Sequence, residues 1–146
     1  MAELAHVVFY VRELKRSVEF YRDVVGLNVV GQIFDNRAAM LSGGRTHHEL
    51  LLIQVGDAPG PLPGRRIGLY HVGWKIGETL DELRALRDKL QAGKYPIDGL
   101  SDHTVSQSIY LRDPDGNEVE LFVDDPHVDW RHSREWMEEP VKPLAL

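Results

Sequence analysis

The sequence reads HVGWKIGETLDELRALRDKL at residues 71–90 and HVVFYVRELKRSVEFYRDVV at residues 6–25. Both segments begin with His-Val, run through a short apolar strand pattern and continue into a helix pattern. A shift of about 65 positions places His6 on His71 and the pair Arg22-Asp23 on Arg87-Asp88. A similarity at a fixed spacing predicts that one structural module occurs twice in the chain.

Each copy contains one predicted amphipathic helix. The first covers residues 14–25 and ends at Gly26, a typical helix stop. The second covers residues 80–91 and begins with a capping-box pattern formed by Thr79 and Glu82. Apolar residues recur at helical spacing in both, and these stripes are expected to face a core: Leu14, Val18, Tyr21 and Val25 in the first helix, Leu83, Leu86 and Leu90 in the second.

The remaining pattern is that of short strands separated by turn residues. Each half therefore reads strand, helix and three strands, which predicts an α+β fold of two βαβββ modules at about 4–55 and 68–123. A Gly/Pro-rich connector at 56–64 separates the modules. We expect one domain over residues 1–146, with a C-terminal tail at 124–146 that packs on the body or on another subunit. The predicted strands cover residues 5–11, 28–34, 37–42, 48–55, 68–76, 96–100, 105–112 and 117–123.

Composition narrows the possible functions. The 146 residues carry a formal net charge of −6 and contain no basic run, so nucleic acid is not an expected partner. No window has the roughly 18 apolar residues of a membrane span, and the N-terminus lacks a signal-peptide pattern, so a cytoplasmic protein is expected. Cysteine is absent. Any bound metal must therefore use nitrogen and oxygen ligands.

Three residues in separate strand-like segments form a candidate metal-binding set: His6, His71 and Glu120. Two imidazoles and one carboxylate can hold Fe(II) on one face and leave other coordination positions open. A single His in a strand is more often a hydrogen-bonded core residue, but a Glu in an apolar strand needs a cation, a metal or donors. Strand alternation allows the three side chains to converge if both sheets curl with these faces inward.

A second set of polar residues accompanies this one. His47 and His48 open a predicted strand, and His103, Tyr110 and Glu120 share the hairpin-like segment HTVSQSIYLRDPDGNEVE at residues 103–120. Its Asp-Pro-Asp-Gly turn is a strong reversal signal. Taken one at a time, each histidine is more often a solvated residue and the tyrosine an ordinary strand residue. Their order and spacing in the sequence favour a functional site.

The hairpin pattern, His103 followed by Ile-Tyr, Asp-Pro-x-Gly and Glu120, resembles the signature of type I extradiol ring-cleavage dioxygenases of the vicinal oxygen chelate superfamily. The similarity covers nearly the whole chain, and its latter half most resembles bacterial catechol 2,3-dioxygenase-like proteins. The resemblance implies that the two modules form an open, curled mixed β-sheet barrel around a metal site. It also implies a role in the breakdown of aromatic compounds.

The same resemblance implies a role for each matching residue. His6, His71 and Glu120 would hold Fe(II), or less often Mn(II). His48, rather than its neighbour His47, would be the acid–base residue near bound dioxygen. The substrate oxygens would be hydrogen-bonded by His103 and Tyr110.

The expected partners are a catechol-type substrate, O2 and a second copy of the chain in a homodimer or higher homo-oligomer. Two other functions stay open at this point. A glyoxalase I-like isomerase would need a fourth protein ligand, for which Glu49 is the available residue, although it would face opposite to His48 on an ideal strand. A metal-free binding module, like antibiotic-sequestering relatives of the same fold, would have no reason to keep the metal set.

Overall fold

The computed structural model describes residues 1–146, which divide into two compact units. The first unit comprises residues 1–64 together with the turn 113–116, and the second comprises residues 65–112 and 117–146. Each unit contains one mixed, open β-sheet and its own helices. The predicted α+β fold of two βαβββ modules is confirmed, and neither sheet closes into a barrel.

The first unit contains strands β1 (Val7–Val11), β2 (Asn28–Ile33), β3 (Ala38–Ser42) and β4 (Leu50–Gln54), with helix α1 (Leu14–Phe20) after β1. A π-helical turn, Tyr21–Val25, extends α1. The strand order is β1-β4-β3-β2, and β1 runs parallel to β4. The helix ends at Gly26, whose φ of 94° is a left-handed conformation that glycine adopts without strain. The predicted stop is therefore confirmed.

The second unit repeats this order with strands β5 (His71–Gly77), β6 (Ile97–Asp102), β7 (Ser106–Arg112) and β8 (Glu118–Asp124), and helix α2 (Leu80–Ala92). The first four strands of the sheet have the order β5-β8-β7-β6, and β5 runs parallel to β8. The capping box predicted for α2 is present, because Thr79 and Glu82 bond each other's backbone N–H groups. At 13 residues, α2 is the longest helix, and none could cross a bilayer.

The tail adds a short helix α3 (Glu135–Glu138) and a two-residue strand β9 (Lys142–Pro143) to the second unit. Strand β9 pairs antiparallel with β6 at Ser101 and Asp102. Residues 142–143 of the tail are thus held by the sheet of the second unit.

Each unit has an apolar core between its sheet and its helix. Alternation along the strands places one face of each inside, and the fully buried side chains are mostly aliphatic, as expected for strands that carry a helix on one side. The largest of them are Val11, Tyr21, Leu41, Leu50 and Leu52 in the first unit, and Leu83, Leu90, Ile109, Leu111, Val119, Leu121 and Val123 in the second.

Candidate functional site

His71 and Glu120 lie on neighbouring parallel strands of the second unit. His71 is the first residue of β5, and the register places Gly73 opposite Glu120 on β8. The Nε2 atom of His71 is 3.1 Å from Oε2 of Glu120. Two ligands at right angles on one divalent metal, each bound at about 2.1 Å, are about 3 Å apart. The pair thus has the separation of two ligands of a single ion.

Gly73 provides the space that the Glu120 carboxylate occupies. A Cβ atom at position 73 would lie 3.2 Å from Oε2 of Glu120 and 3.4 Å from the ring of Phe122. Any larger residue would push against the oxygen that faces His71. The glycine therefore belongs to the site although it has no side chain.

The other oxygen of Glu120 is held by strand β7. Ser108 Oγ donates a hydrogen bond of 2.6 Å to Oε1, and the Tyr110 hydroxyl donates one of 2.9 Å to the same atom. Ser108 and Tyr110 are two residues apart and therefore share one face of the strand. These bonds orient the carboxylate so that one oxygen is fixed and the other faces His71.

Tyr110 connects Glu120 to His103 and to the tail. The Tyr110 hydroxyl is 2.7 Å from His103 Nε2, and His103 Nδ1 is 2.7 Å from the Pro140 carbonyl oxygen. A carbonyl oxygen only accepts, so Nδ1 of His103 carries a proton. The tail thereby sets the tautomer of His103. The single proton of the Tyr110 hydroxyl is shared between two contacts, the hydrogen bond to Glu120 Oε1 and the 2.7 Å contact with His103 Nε2, so only one of them can take it at a time.

Burial raises the pKa of the Tyr110 hydroxyl, and its hydrogen bond to Glu120 raises it further. Both causes disfavour the phenolate, because it would be poorly solvated and would face a carboxylate. Tyr110 therefore stays protonated at neutral pH and remains a hydrogen-bond donor.

The first unit places His6 beside His48. Strand β1 begins at Val7, so His6 lies one residue before the strand and is exposed, not within it as the sequence pattern suggested. The ring centroids of His6 and His48 are 4.7 Å apart. His47 approaches His48 from another side, with 2.6 Å between the two Nδ1 atoms.

The pKa of His48 is lowered, first by burial and then by the neighbouring rings of His47 and His6. A cationic ring is disfavoured beside two others that can also become charged. His48 is therefore neutral near pH 7, the form that can accept a proton.

Glu49 has a structural task in the loop between β3 and β4. Its carboxylate accepts hydrogen bonds from the backbone N–H groups of Gly43 (2.8 Å), Arg45 (3.0 Å) and Thr46 (3.1 Å). Burial alone would raise the pKa of Glu49, but these bonds and a contact with Ser42 outweigh it and lower the pKa. The carboxylate is thus committed to the loop.

The predicted site residues form two groups. The second unit brings together His71, His103, Tyr110 and Glu120 through the contacts above, and the first brings His6 together with His48. No group of three His, Asp or Glu side chains in the structure is already arranged to hold a metal ion.

Sequence reasoning missed three residues of the second group: Gly73, Ser108 and Glu118. Ser108 precedes Tyr110 by two positions, and Glu118 precedes Glu120 by two, so the alternation of strand faces was a signal that could have found both. The role of Gly73 depends on the pairing of β5 with β8, which the sequence does not state.

Comparisons with known proteins identify the family of this chain. Residues 3–121 match the family model described as "Glyoxalase/Bleomycin resistance protein/Dioxygenase superfamily". The chain is 33% identical to "Biphenyl-2,3-diol 1,2-dioxygenase 3" of Rhodococcus globerulus, over 98% of this chain and 79% of that protein.

It is also 33% identical to "Catechol-2,3-dioxygenase" of Bacillus subtilis, over 86% of this chain but only 42% of that longer protein. A crystal structure of lactoylglutathione lyase from Agrobacterium tumefaciens has a TM-score of 0.63 and 26% identity, covering 84% of this chain and 94% of the other. The chain therefore belongs to the glyoxalase/bleomycin resistance protein/dioxygenase superfamily.

Proposed function

We propose that the protein is an extradiol ring-cleavage dioxygenase that inserts O2 into a catechol-type diol at an Fe(II) centre, with Mn(II) as the alternative metal. The observation that carries this proposal is that the two oxygens of the Glu120 carboxylate have different partners. Oε2 faces His71, and Oε1 accepts hydrogen bonds from Ser108 and Tyr110. The names of the two relatives, both dioxygenases of aromatic diols, support it.

His71 and Glu120 would hold the metal together with His6 of the first unit. The donor set fits a divalent ion, because an imidazole nitrogen and a carboxylate oxygen are suitable ligands and the two atoms are 3.1 Å apart. If both atoms were unprotonated, they would repel each other unless a cation lay between them. When bound, the metal would lower the pKa of a coordinated diol hydroxyl and bring the diol and O2 together.

The other residues would act on the substrate. Tyr110 is held protonated, and His103 is fixed by the Pro140 carbonyl, so both can hydrogen-bond the substrate oxygens in a set orientation. His48 is the proposed acid–base residue, since its lowered pKa keeps a basic nitrogen available at neutral pH. His47 lies against it and restricts its ring.

Aerobic turnover tests the proposal directly. Protein loaded with Fe(II) should consume O2 when given catechol or 2,3-dihydroxybiphenyl and form a yellow ring-opened semialdehyde-type acid. The Glu120→Ala variant should contain little iron and show no turnover. Absence of O2 consumption across a broad panel of catechols, with iron bound, would refute the dioxygenase proposal.

The first unit offers no support for an isomerase of the glyoxalase I type. Glu49, the candidate for its fourth ligand, already accepts three backbone hydrogen bonds. The pairing of the strands also shows which residue of the first unit is equivalent to Glu120. Leu51 lies opposite Val8 as Glu120 lies opposite Gly73. The position equivalent to Glu120 is therefore occupied by an apolar residue. Turnover of a methylglyoxal–thiol adduct with nickel or zinc would reverse this conclusion.

A metal-free binding module is separated from both enzymes by metal analysis. Such a protein would be purified without stoichiometric metal and would bind its ligand without turnover. Iron at about one ion per chain, lost on Glu120→Ala, would exclude it.

A further inference from the structure

Glu118 is a buried carboxylate in contact with the imidazole of His71. Only 8% of its side chain is exposed, and its Oε1 atom is 3.2 Å from His71 Nδ1. Its Oε2 atom accepts a hydrogen bond of 2.8 Å from Arg112. The Tyr70 hydroxyl also bonds Glu118, and this bond is the main cause of a raised Tyr70 pKa.

The contact decides which nitrogen of His71 can bind a metal. Each ring nitrogen faces one carboxylate, and an ionised carboxylate only accepts hydrogen bonds; with a metal in place of a proton on Nε2, the one remaining proton would lie on Nδ1, where Glu118 accepts it. A neutral ring with the proton on Nδ1 has its lone pair on Nε2. That is the atom 3.1 Å from Glu120 Oε2. A hydrogen bond from Nδ1 to Glu118 thus leaves Nε2 of His71 unprotonated and able to bind the proposed metal.

Arg112 bonds a second carboxylate besides that of Glu118. Its Nε atom already donates a 2.7 Å hydrogen bond to Asp98, so the guanidinium has an acidic partner without Glu118. Glu118 and the proposed ligand Glu120 lie on the same face of β8, so two negative charges are close together. This arrangement costs free energy unless cationic groups or hydrogen-bond donors lie between and around them. His71 contacts both carboxylates.

We propose that Glu118 is a positioning residue that fixes the tautomer and orientation of His71 for metal binding. This inference rests on the proposed ligand set of His6, His71 and Glu120. Removing an outer carboxylate of this kind typically weakens metal affinity 10–100-fold.

Metal affinity of four full-length proteins provides the first test. Fe(II) binding is measured anaerobically by competition with a chelator for the wild type, Glu118→Ala, Glu118→Gln and Asp98→Asn. Glu118→Ala should bind Fe(II) about 10–100-fold more weakly. Glu118→Gln should lose less, because its amide oxygen can still accept from His71. Asp98→Asn is the matched control, since it removes the other acidic partner of Arg112 and leaves His71 alone; it should bind like the wild type.

Nuclear magnetic resonance of the protein loaded with Zn(II) provides a second, structural readout. The Nδ1–H proton of His71 should give a slowly exchanging imidazole signal in the wild type and in Asp98→Asn. In Glu118→Ala the signal should disappear, because the proton loses its acceptor and exchanges with water. A merely structural effect on folding would not remove this one signal selectively.

The outcomes distinguish the two proposals. If Glu118→Ala binds Fe(II) within twofold of the wild type and keeps the His71 signal, the positioning role is wrong while the dioxygenase proposal stands. An equal loss in Asp98→Asn would also overturn it, since the effect would then belong to Arg112. If the wild type binds neither metal, or Glu120→Ala binds both normally, the ligand set is wrong and the role of Glu118 falls with it.

Discussion

Gly73 limits what the site can hold, because its missing side chain makes room for Glu120. We predict that Gly73→Ala lowers Fe(II) affinity about tenfold, since a Cβ 3.2 Å from Oε2 forces the carboxylate to shift by a few tenths of an ångström. Chelator competition measures the change. The matched control is Gly99→Ala on β6, where a Cβ would meet nothing within 4 Å. Equal affinities for the two variants would show that the Glu120 carboxylate tolerates the shift.

The candidate residues that the sequence indicated and those that it missed differ in how local their signals are. His103, Tyr110 and Glu120 belong to one hairpin with a recognisable turn, so their proximity could be read from the chain. Ser108 and Glu118 lie on the same strand faces as Tyr110 and Glu120, but Ser and Glu at strand positions are common and carry no spacing signal of their own. Their importance appears only when the hydrogen bonds are known.

The loop between β3 and β4 depends on one carboxylate, which gives stability a pH dependence. Glu49 is 11% exposed, and its pKa is lower in the folded chain than in the unfolded one. Its contribution is therefore present above the unfolded pKa and is lost as the pH falls through the folded value. We predict that Glu49→Gln lowers the free energy of unfolding by about 1–3 kcal/mol at pH 7.

The difference between wild type and Glu49→Gln should shrink below a pH of about 4.5, where the glutamate begins to be protonated in the unfolded chain. Urea unfolding across this pH range measures it. Glu19→Gln is the control, because the Glu19 side chain is 42% exposed and paired with Lys15 on α1, so its substitution should change stability by less than about 1 kcal/mol. A pH-independent difference for Glu49→Gln would contradict the prediction.

The C-terminal tail acts on the site through His103. Its Pro140 carbonyl accepts from His103 Nδ1, and the Glu139 carbonyl accepts from Thr104 Oγ at 2.9 Å. We predict that deleting residues 134–146 lowers kcat/KM for ring cleavage about 10–100-fold, because His103 loses the bond that orients it. Iron content should persist, since the contacts described for Glu120 are with β5 and β7.

Deletion of residues 144–146 alone is the control for the tail, because it leaves β9 intact. It should keep full activity, measured as initial rates of O2 consumption. Unchanged kcat/KM after the longer deletion would show that His103 needs no support from the tail.

Helices and strands could be predicted where the sequence has a periodic apolar pattern or a local capping signal, and could not be predicted where it has neither. The capping box of α2 and the stop at Gly26 follow from local chemistry, and the structure contains both. The two-residue strand β9 has no period, and the bonds that hold it come from β6, about 40 positions earlier in the chain. The π-helical turn at Tyr21–Val25 likewise has no sequence signal; Tyr21 there donates a 2.8 Å hydrogen bond to Asp113 of the same unit.

At the scale of the whole molecule, the repeat preserves backbone positions and changes their chemistry. Val7 pairs with Leu50 as Val72 pairs with Val119, so Glu49 corresponds to Glu118 and Leu51 to Glu120. Glu49 holds a loop, whereas Glu118 contacts a histidine. In the proposed ligand set, the carboxylate therefore comes from the second unit, while each unit supplies the histidine that begins its module. At these two positions the units thus differ by one substitution, Leu51 in place of Glu120, while the two equivalent glutamates have different partners.

This asymmetry predicts how metal binding stabilises the protein. A ligand that binds only the folded chain adds RT ln(1 + [L]/Kd) to stability, about 2.7 kcal/mol at 100 times Kd. For a chain of 146 residues this raises Tm by roughly 5–10 °C. We therefore expect Fe(II), added anaerobically, to raise the Tm of the wild type by that amount.

The rise in Tm should vanish in each ligand variant, His6→Ala, His71→Ala and Glu120→Ala, because loss of one ligand of three removes most of the affinity. Leu51→Ala is the matched control: the equivalent strand position of the first unit supplies no ligand in the proposed set, so this variant should keep the wild-type rise. Differential scanning calorimetry with and without Fe(II) measures all five proteins. A full rise in His6→Ala would remove the first unit from the ligand set, and a full rise in Glu120→Ala would remove the carboxylate on which the proposed function depends.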